Sequence, residues 1–167
     1  ELYVEIPLDG IGALNDLLGG VTVTLLDDFT ASDPTMTAGK TLTLTGQQAE
    51  ILVRSRMSMA VGTNEARMSR QRIFMDAAVP MIRERISENS GFASEMLDSL
   101  SPYLTTNMVR GRMINELNKA YHYDVQPVEY LTGEHTIGDD GFVEFHAASQ
   151  SAVDFVLSAF YTKRDAQ

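Results

Sequence analysis

Apolar and polar residues alternate from Leu2 to Ile6 in the two-residue rhythm of a strand, and the spacing then widens to that of a helix from Asp9 to about Leu18. Asp9 stands where an N-cap belongs, and Gly19-Gly20 supply the stop. Val21 to Leu25 reads as a second strand and Thr41 to Leu44 as a third, with Thr45 capping a helix that reaches about Val53. Between those strands, the stretch from Asp27 to Lys40 is dense in Asp, Thr, Ser, Gly and Pro, the composition of a loop. After a second loop from Arg56 containing Gly62, Asn64 is placed to cap a long helix from about Glu65 to about Ser87, bent at Pro80. Helices from about Phe92 to Leu100 and Met108 to Ala120, strands near Val125 to Tyr130 and Phe142 to His146, and a closing helix from Ala152 to Phe160 complete the series. The strand-helix-strand opening predicts an α/β domain; its short connection leaves open whether the first two strands pair in parallel.

Composition narrows the class without changing this reading. The 167 residues suffice for one domain with a sizeable core, and 44% hydrophobic with 22% charged residues is ordinary globular usage, without low-complexity stretches or repeats. A net charge of −10 argues against general affinity for nucleic acid, whose phosphates reward a broad basic surface. With no cysteine, disulfide and thiol chemistry are excluded. No apolar run approaches the roughly 18 residues of a membrane span, and no signal-peptide pattern precedes the first strand. Glu1 opens directly into a strand under way, so an upstream portion of the domain is expected. His122, His135 and His146 are scattered without metal-ligand spacing and read as ordinary surface or core residues, and no metal site is expected within this chain. Nucleophile-elbow, Walker and dinucleotide-glycine motifs are all missing from the sequence.

Charge distribution is more informative than net charge. Between Arg54 and Arg85 lie seven arginines against Glu65, Asp76 and Glu84, so this segment is +4 while the remainder is −14. Planar, forked guanidinium donors suit phosphate or carboxylate; the alternative is a solvated helix face paired with neighbouring acids. At about 100° per residue, Arg67, Arg70, Gln71 and Phe74 share one side of the long helix, beside an apolar stripe of Met68, Met75, Val79, Ile82 and Ile86 predicted to be core. Arg67 and Arg70 fall in the first two turns, where positive charge opposes the macrodipole unless an anion lies nearby. Free backbone N–H groups at Asn64, Glu65, Ala66 and Arg67 would make that helix start phosphate-facing.

Four stretches, Leu17-Leu18-Gly19-Gly20-Val21, Leu44-Thr45-Gly46-Gln47-Gln48-Ala49, Val53-Arg54-Ser55-Arg56 and Arg67-Met68-Ser69-Arg70-Gln71, occur in the order and approximate spacing of the LytR-CpsA-Psr family. The sequence resembles that family most clearly from about Leu2 to Ile86, as the C-terminal part of its domain. The resemblance implies a mixed central sheet flanked by helices in three α-β-α layers, lacking the family's N-terminal strands. It implies an extracytoplasmic phosphotransferase that moves a glycan phosphate from a polyprenyl-pyrophosphate-linked precursor to peptidoglycan, attaching wall polymers of the teichoic-acid or capsular-polysaccharide kind. Arg54, Arg56, Arg67, Arg70 and Gln71 would hold the pyrophosphate. Asn64 stands where the family usually has an acidic residue and reads as a cap or a neutral hydrogen-bonding group.

What the resemblance leaves outside this chain bears equally on function. The family's N-terminal half supplies acidic residues that help to hold Mg²⁺, together with further arginines and the membrane anchor; no catalytic residue is therefore assigned here, and the isolated chain is expected to lack turnover. The alternative is a noncatalytic module that binds lipid phosphate or glycan phosphate at the envelope; a third reading has the arginines making ion pairs only. Leu14, Leu17, Ile51, Phe74 and Met75 line either the core or a slot for the lipid. Without its other half, the sheet would expose an apolar edge that drives dimerisation or aggregation. The phosphate reading requires Arg54, Arg56 and Arg67 to converge, and fails if they lie far apart or each binds its own carboxylate.

Overall fold

The computed structural model describes residues 2–55, 64–120, 122–123, 131–139, 141 and 143–161. The chain divides into two compact units, Glu1–Tyr123 and Asp124–Gln167. No described helix is long and apolar enough to cross a membrane.

In the first unit, strand β1 (Val4–Glu5) leads into helix α1 (Asp9–Leu17). Gly19 and Gly20, both at positive φ, turn the chain into β2 (Thr22–Thr24). Asn15 is fully buried and ties this corner together: its amide donates to the Leu44 carbonyl at 2.8 Å, and its oxygen accepts from the Val21 amide at 2.9 Å. A buried polar side chain is tolerated because both ends are satisfied. β2 runs antiparallel to β3 (Thr41–Thr43), with the hydroxyls of Thr22 and Thr24 facing those of Thr43 and Thr41 on the exposed side, while Val23 points into the core.

Read from composition as loop, residues 27–40 are indeed irregular, yet they are pinned at both ends of a turn. Phe29 and Met36 are buried in the core, and the Phe29 amide donates to the Met36 carbonyl. Asp28 and Asp33 each accept from the amide and hydroxyl two residues on, at Thr30 and Thr35.

Helix α2 (Gly46–Arg54) begins with a reciprocal capping box between Thr45 and Gln48, as the sequence predicts for Thr45. Its packing partner is α1, and the two approach closely because both carry glycine at the crossing: a Cβ on Gly46 would lie 2.9 Å from the Gly12 carbonyl oxygen. Helix α3 (Asn64–Glu88) continues through Pro80 and packs on α2, on β2 and on α4 (Phe92–Leu100). A 3₁₀ turn at Ser101–Tyr103 leads to β4 (Thr105–Thr106), which pairs antiparallel with β1, and to α5 (Arg110–Ala120).

In the second unit, β5 (Gly133–Ile137) and β6 (Val143–Ala147) form an antiparallel ribbon, followed by α6 (Ser149–Val156) and a π-helical turn at Leu157–Tyr161. Both strands are exposed throughout, and β5 had no counterpart among the predicted strands. The strand predicted near Val125 to Tyr130 lies outside the described residues. His135 stacks at a tilt on Phe145, ring centres 5.2 Å apart, and His146 lies 3.2 Å from the Glu144 carboxylate.

The class is mixed α/β, as expected, with short antiparallel strands flanked by helices. Among the described residues the strands form three separate two-stranded antiparallel ladders, β1–β4, β2–β3 and β5–β6. The opening β1-α1-β2 unit does not close a parallel pair, because β1 pairs with β4 and β2 with β3. With strands this short, the helices carry most of the core.

Candidate functional site

The core of α3 follows the predicted stripe only in part: Ile86 is buried and Ile82 packs against the core as expected, but Met68 and Met75 are exposed, and Arg70, Phe74 and Ala78 are buried. The buried row is thus rotated towards the arginine side, against the expectation that the arginines merely border the core. Hydrophobicity ranks arginine as outward-facing, but Arg70 can be buried because its charge is met there. Its side chain is 1% exposed; Nη1 donates to the Asp27 carboxylate at 2.9 Å and Nη2 to the Ser55 carbonyl at 2.6 Å. Nε has no hydrogen-bond partner among the described residues.

Ser55 is the C-cap residue of α2, where carbonyls lack intrahelical donors and the dipole is negative. Gln71 adds a second tie, its amide donating to the Val53 carbonyl at 3.2 Å. Positive charge in the early turns of α3 is therefore compensated by Asp27 and by the end of the neighbouring helix. Arg85 repeats the device at α1, with Nη2 donating to the carbonyl of its C-cap residue Leu18 at 3.3 Å.

Arg54, between the two carbonyls that Gln71 and Arg70 engage, sits in the last turn of α2 with its side chain 51% exposed. It reaches the Asp9 carboxylate at 2.5 Å and comes within 3.9 Å of Glu50. Asp9 was read as an N-cap from sequence; the helix instead begins at Asp9 itself, Leu8 is the cap residue, and the Asp9 carboxylate turns to Arg54. Arg67 is half-buried one turn before Arg70 and Gln71. Asn64 is the first residue of α3, its side chain outside the described residues, as is the whole of Arg56.

Four of the five side chains considered for a lipid slot, Leu14, Leu17, Ile51 and Phe74, belong to the core or pack against it, and Met75 is exposed. The loop carboxylates are held by neutral donors. The Gln48 amide, then the Thr35 hydroxyl and amide, hold the Asp33 carboxyl below its ordinary value, and Thr30 does the same for Asp28. Among the described residues there is no group of three or more His, Cys, Asp or Glu side chains able to hold a metal ion.

Sequence reasoning missed Asp27 and the pairing of Asp9 with Arg54. Both join residues far apart in the chain, and no local pattern marks them. The arginines themselves were visible as a charge anomaly.

The LytR_cpsA_psr family model matches residues 1–156 of the chain. No curated protein gives a significant match. Among solved structures, protein gbs0355 of Streptococcus agalactiae is similar with a TM-score of 0.72 at 19% identity, over 94% of this chain and 56% of its own. B. subtilis TagV gives a TM-score of 0.64 at 18% identity, covering 92% of this chain and 60% of its own. TagT, solved bound to LI-WTA, gives 0.67 at 20% identity, with 93% and 57% covered. These likenesses are of fold, and the chain spans less than two thirds of the length of each.

Proposed function

Because the chain belongs to the LytR_cpsA_psr family, we propose that it serves in attaching a cell-wall glycopolymer at the bacterial envelope, outside the membrane, by holding the pyrophosphate of a polyprenyl-linked glycan for transfer to peptidoglycan. The observation that carries this reading is the junction of α2 and α3. Two hydrogen bonds, from Arg70 and Gln71, tie the first turns of α3 to the end of α2, whose last turn carries the exposed Arg54. Forked donors held in place before the anion arrives are what a diphosphate requires, since phosphoryl transfer depends chiefly on positioning and charge stabilisation.

Arg54 and Arg67 are the proposed contacts to phosphate oxygens, with Arg56, outside the described residues, joined to them by its place in the motif. Arg70 and Gln71 are positioning residues, since Arg70 is already committed to Asp27 and Ser55. Mg²⁺ would supply further neutralisation of the diphosphate. The described carboxylates do not form a set that fits it, so its ligands are proposed to come from elsewhere in the domain, and no step is routed through the ion.

Titrating inorganic pyrophosphate into the chain tests the reading. Arg54→Ala and Arg67→Ala are each expected to weaken binding by at least about ten-fold, the loss of one charged hydrogen-bonding partner. Unchanged affinity in both variants would sink it. Asn64, at the place of the family's acidic residue, favours a second reading in which the ligand is bound and nothing is transferred. Turnover dependent on Mg²⁺ in a transfer assay with the chain alone would eliminate the binding-only reading.

A further inference from the structure

The ion pair between Arg54 and Asp9 joins the last turn of α2 to the first turn of α1, and both ends are open to solvent, at 51% and 57% exposure. Each charge also suits its own helix, a cation at a C-terminus and an anion at an N-terminus. Opening the pair therefore leaves neither side chain in a hostile field, and an exposed pair of this kind is worth little. Arg70 differs in that its guanidinium is buried and is tied to a backbone carbonyl as well as to the partly exposed Asp27.

We propose that Asp9 sets the anion affinity of the α2–α3 corner: its carboxylate occupies the Arg54 guanidinium in the ligand-free protein, and an incoming diphosphate oxygen must displace it. Asp9 thus competes with the ligand for one forked donor. Weak substrates with a single negative charge are disfavoured by this competition, while a diphosphate overcomes it by engaging further arginines at the same time. The inference rests on the reading of Arg54 as a ligand contact. It assigns a role to a residue outside the arginine motifs.

The experiment is a calorimetric titration of inorganic pyrophosphate into four forms of the chain: unaltered, Asp9→Asn, Arg54→Ala, and the two changes combined. Asp9→Asn is expected to tighten binding about two- to five-fold, the free energy of an exposed pair expressed as affinity. In the Arg54→Ala background the same change is expected to do nothing, and Asp9→Glu is expected to keep the original affinity. A gain in affinity has no explanation in misfolding. An equal gain with and without Arg54 would overturn the proposal, since it would reflect only the removal of a nearby negative charge. No gain in Asp9→Asn, with Arg54→Ala still weakening binding, would overturn it while leaving the reading of Arg54 intact. Arg54→Ala binding as well as the unaltered chain would remove both.

Discussion

Arg54 at the end of α2 and Arg70 in the second turn of α3 each face a carboxylate, but water reaches the Arg54 guanidinium and not that of Arg70. Arg54 and Asp9 are about half exposed, whereas Arg70 is 1% exposed and its partner Asp27 is 23% exposed. In water the Coulomb attraction of a pair is largely screened, so Arg54 can exchange partners at little cost. In the interior, a lone guanidinium has nowhere to put its charge, and Arg70 must keep Asp27 and the Ser55 carbonyl. The same residue type can thus exchange partners with little loss at one site and is bound into the architecture at the other.

The contrast breaks most visibly if the carboxylate that meets the buried guanidinium is removed. Asp27→Ala strands the Arg70 charge and is expected to destabilise the fold by about 3–5 kcal/mol in urea unfolding; a loss under about 1 kcal/mol would mean that Arg70 is not the strut described here. Next comes the helix crossing that presents Asp9 to Arg54. Gly46→Ala would press a Cβ against the Gly12 carbonyl and is expected to cost about 1–3 kcal/mol, read from the same unfolding curves. Arg54→Ala should then lie below about 1 kcal/mol in stability while weakening pyrophosphate binding, which separates the exposed arginine from the buried one within a single variant.

The smallest effect concerns a carboxylate held by neutral donors. Asp33 has its pKa lowered from 3.8 by Gln48 and Thr35, so its folded-state value lies below its unfolded one. Its contribution is present above that ordinary value and is lost as pH falls below it towards the depressed folded value. Asp33→Asn should accordingly flatten the fall in thermal stability below about pH 4; an unchanged acid profile would show the Gln48 and Thr35 contacts to be without energetic weight.

Much of the fold was legible along the chain. The capping box at Thr45 and Gln48, the stop at Gly19-Gly20 and the helices around Phe92 and Arg110 depend on residues within one or two turns of each other, and local chemistry announces them. Phe29 and Met36 were concealed in a polar stretch, although two large apolar residues among Asp and Thr were a signal that the loop is anchored. At the site, the anomalous arginine density and the motif order were readable, but the division of labour among the arginines was not.

By itself the sequence determined the helices and their caps, the surplus of guanidinium groups between Arg54 and Arg85, and the family those residues resemble. Only the tertiary structure decided that Arg70 is buried, which carboxylates Arg54 and Arg70 meet, and how the described strands pair. The physical reason is that caps and periodicity are interactions between near neighbours, whereas the fate of a charge depends on the water and partners left around it after distant segments have packed.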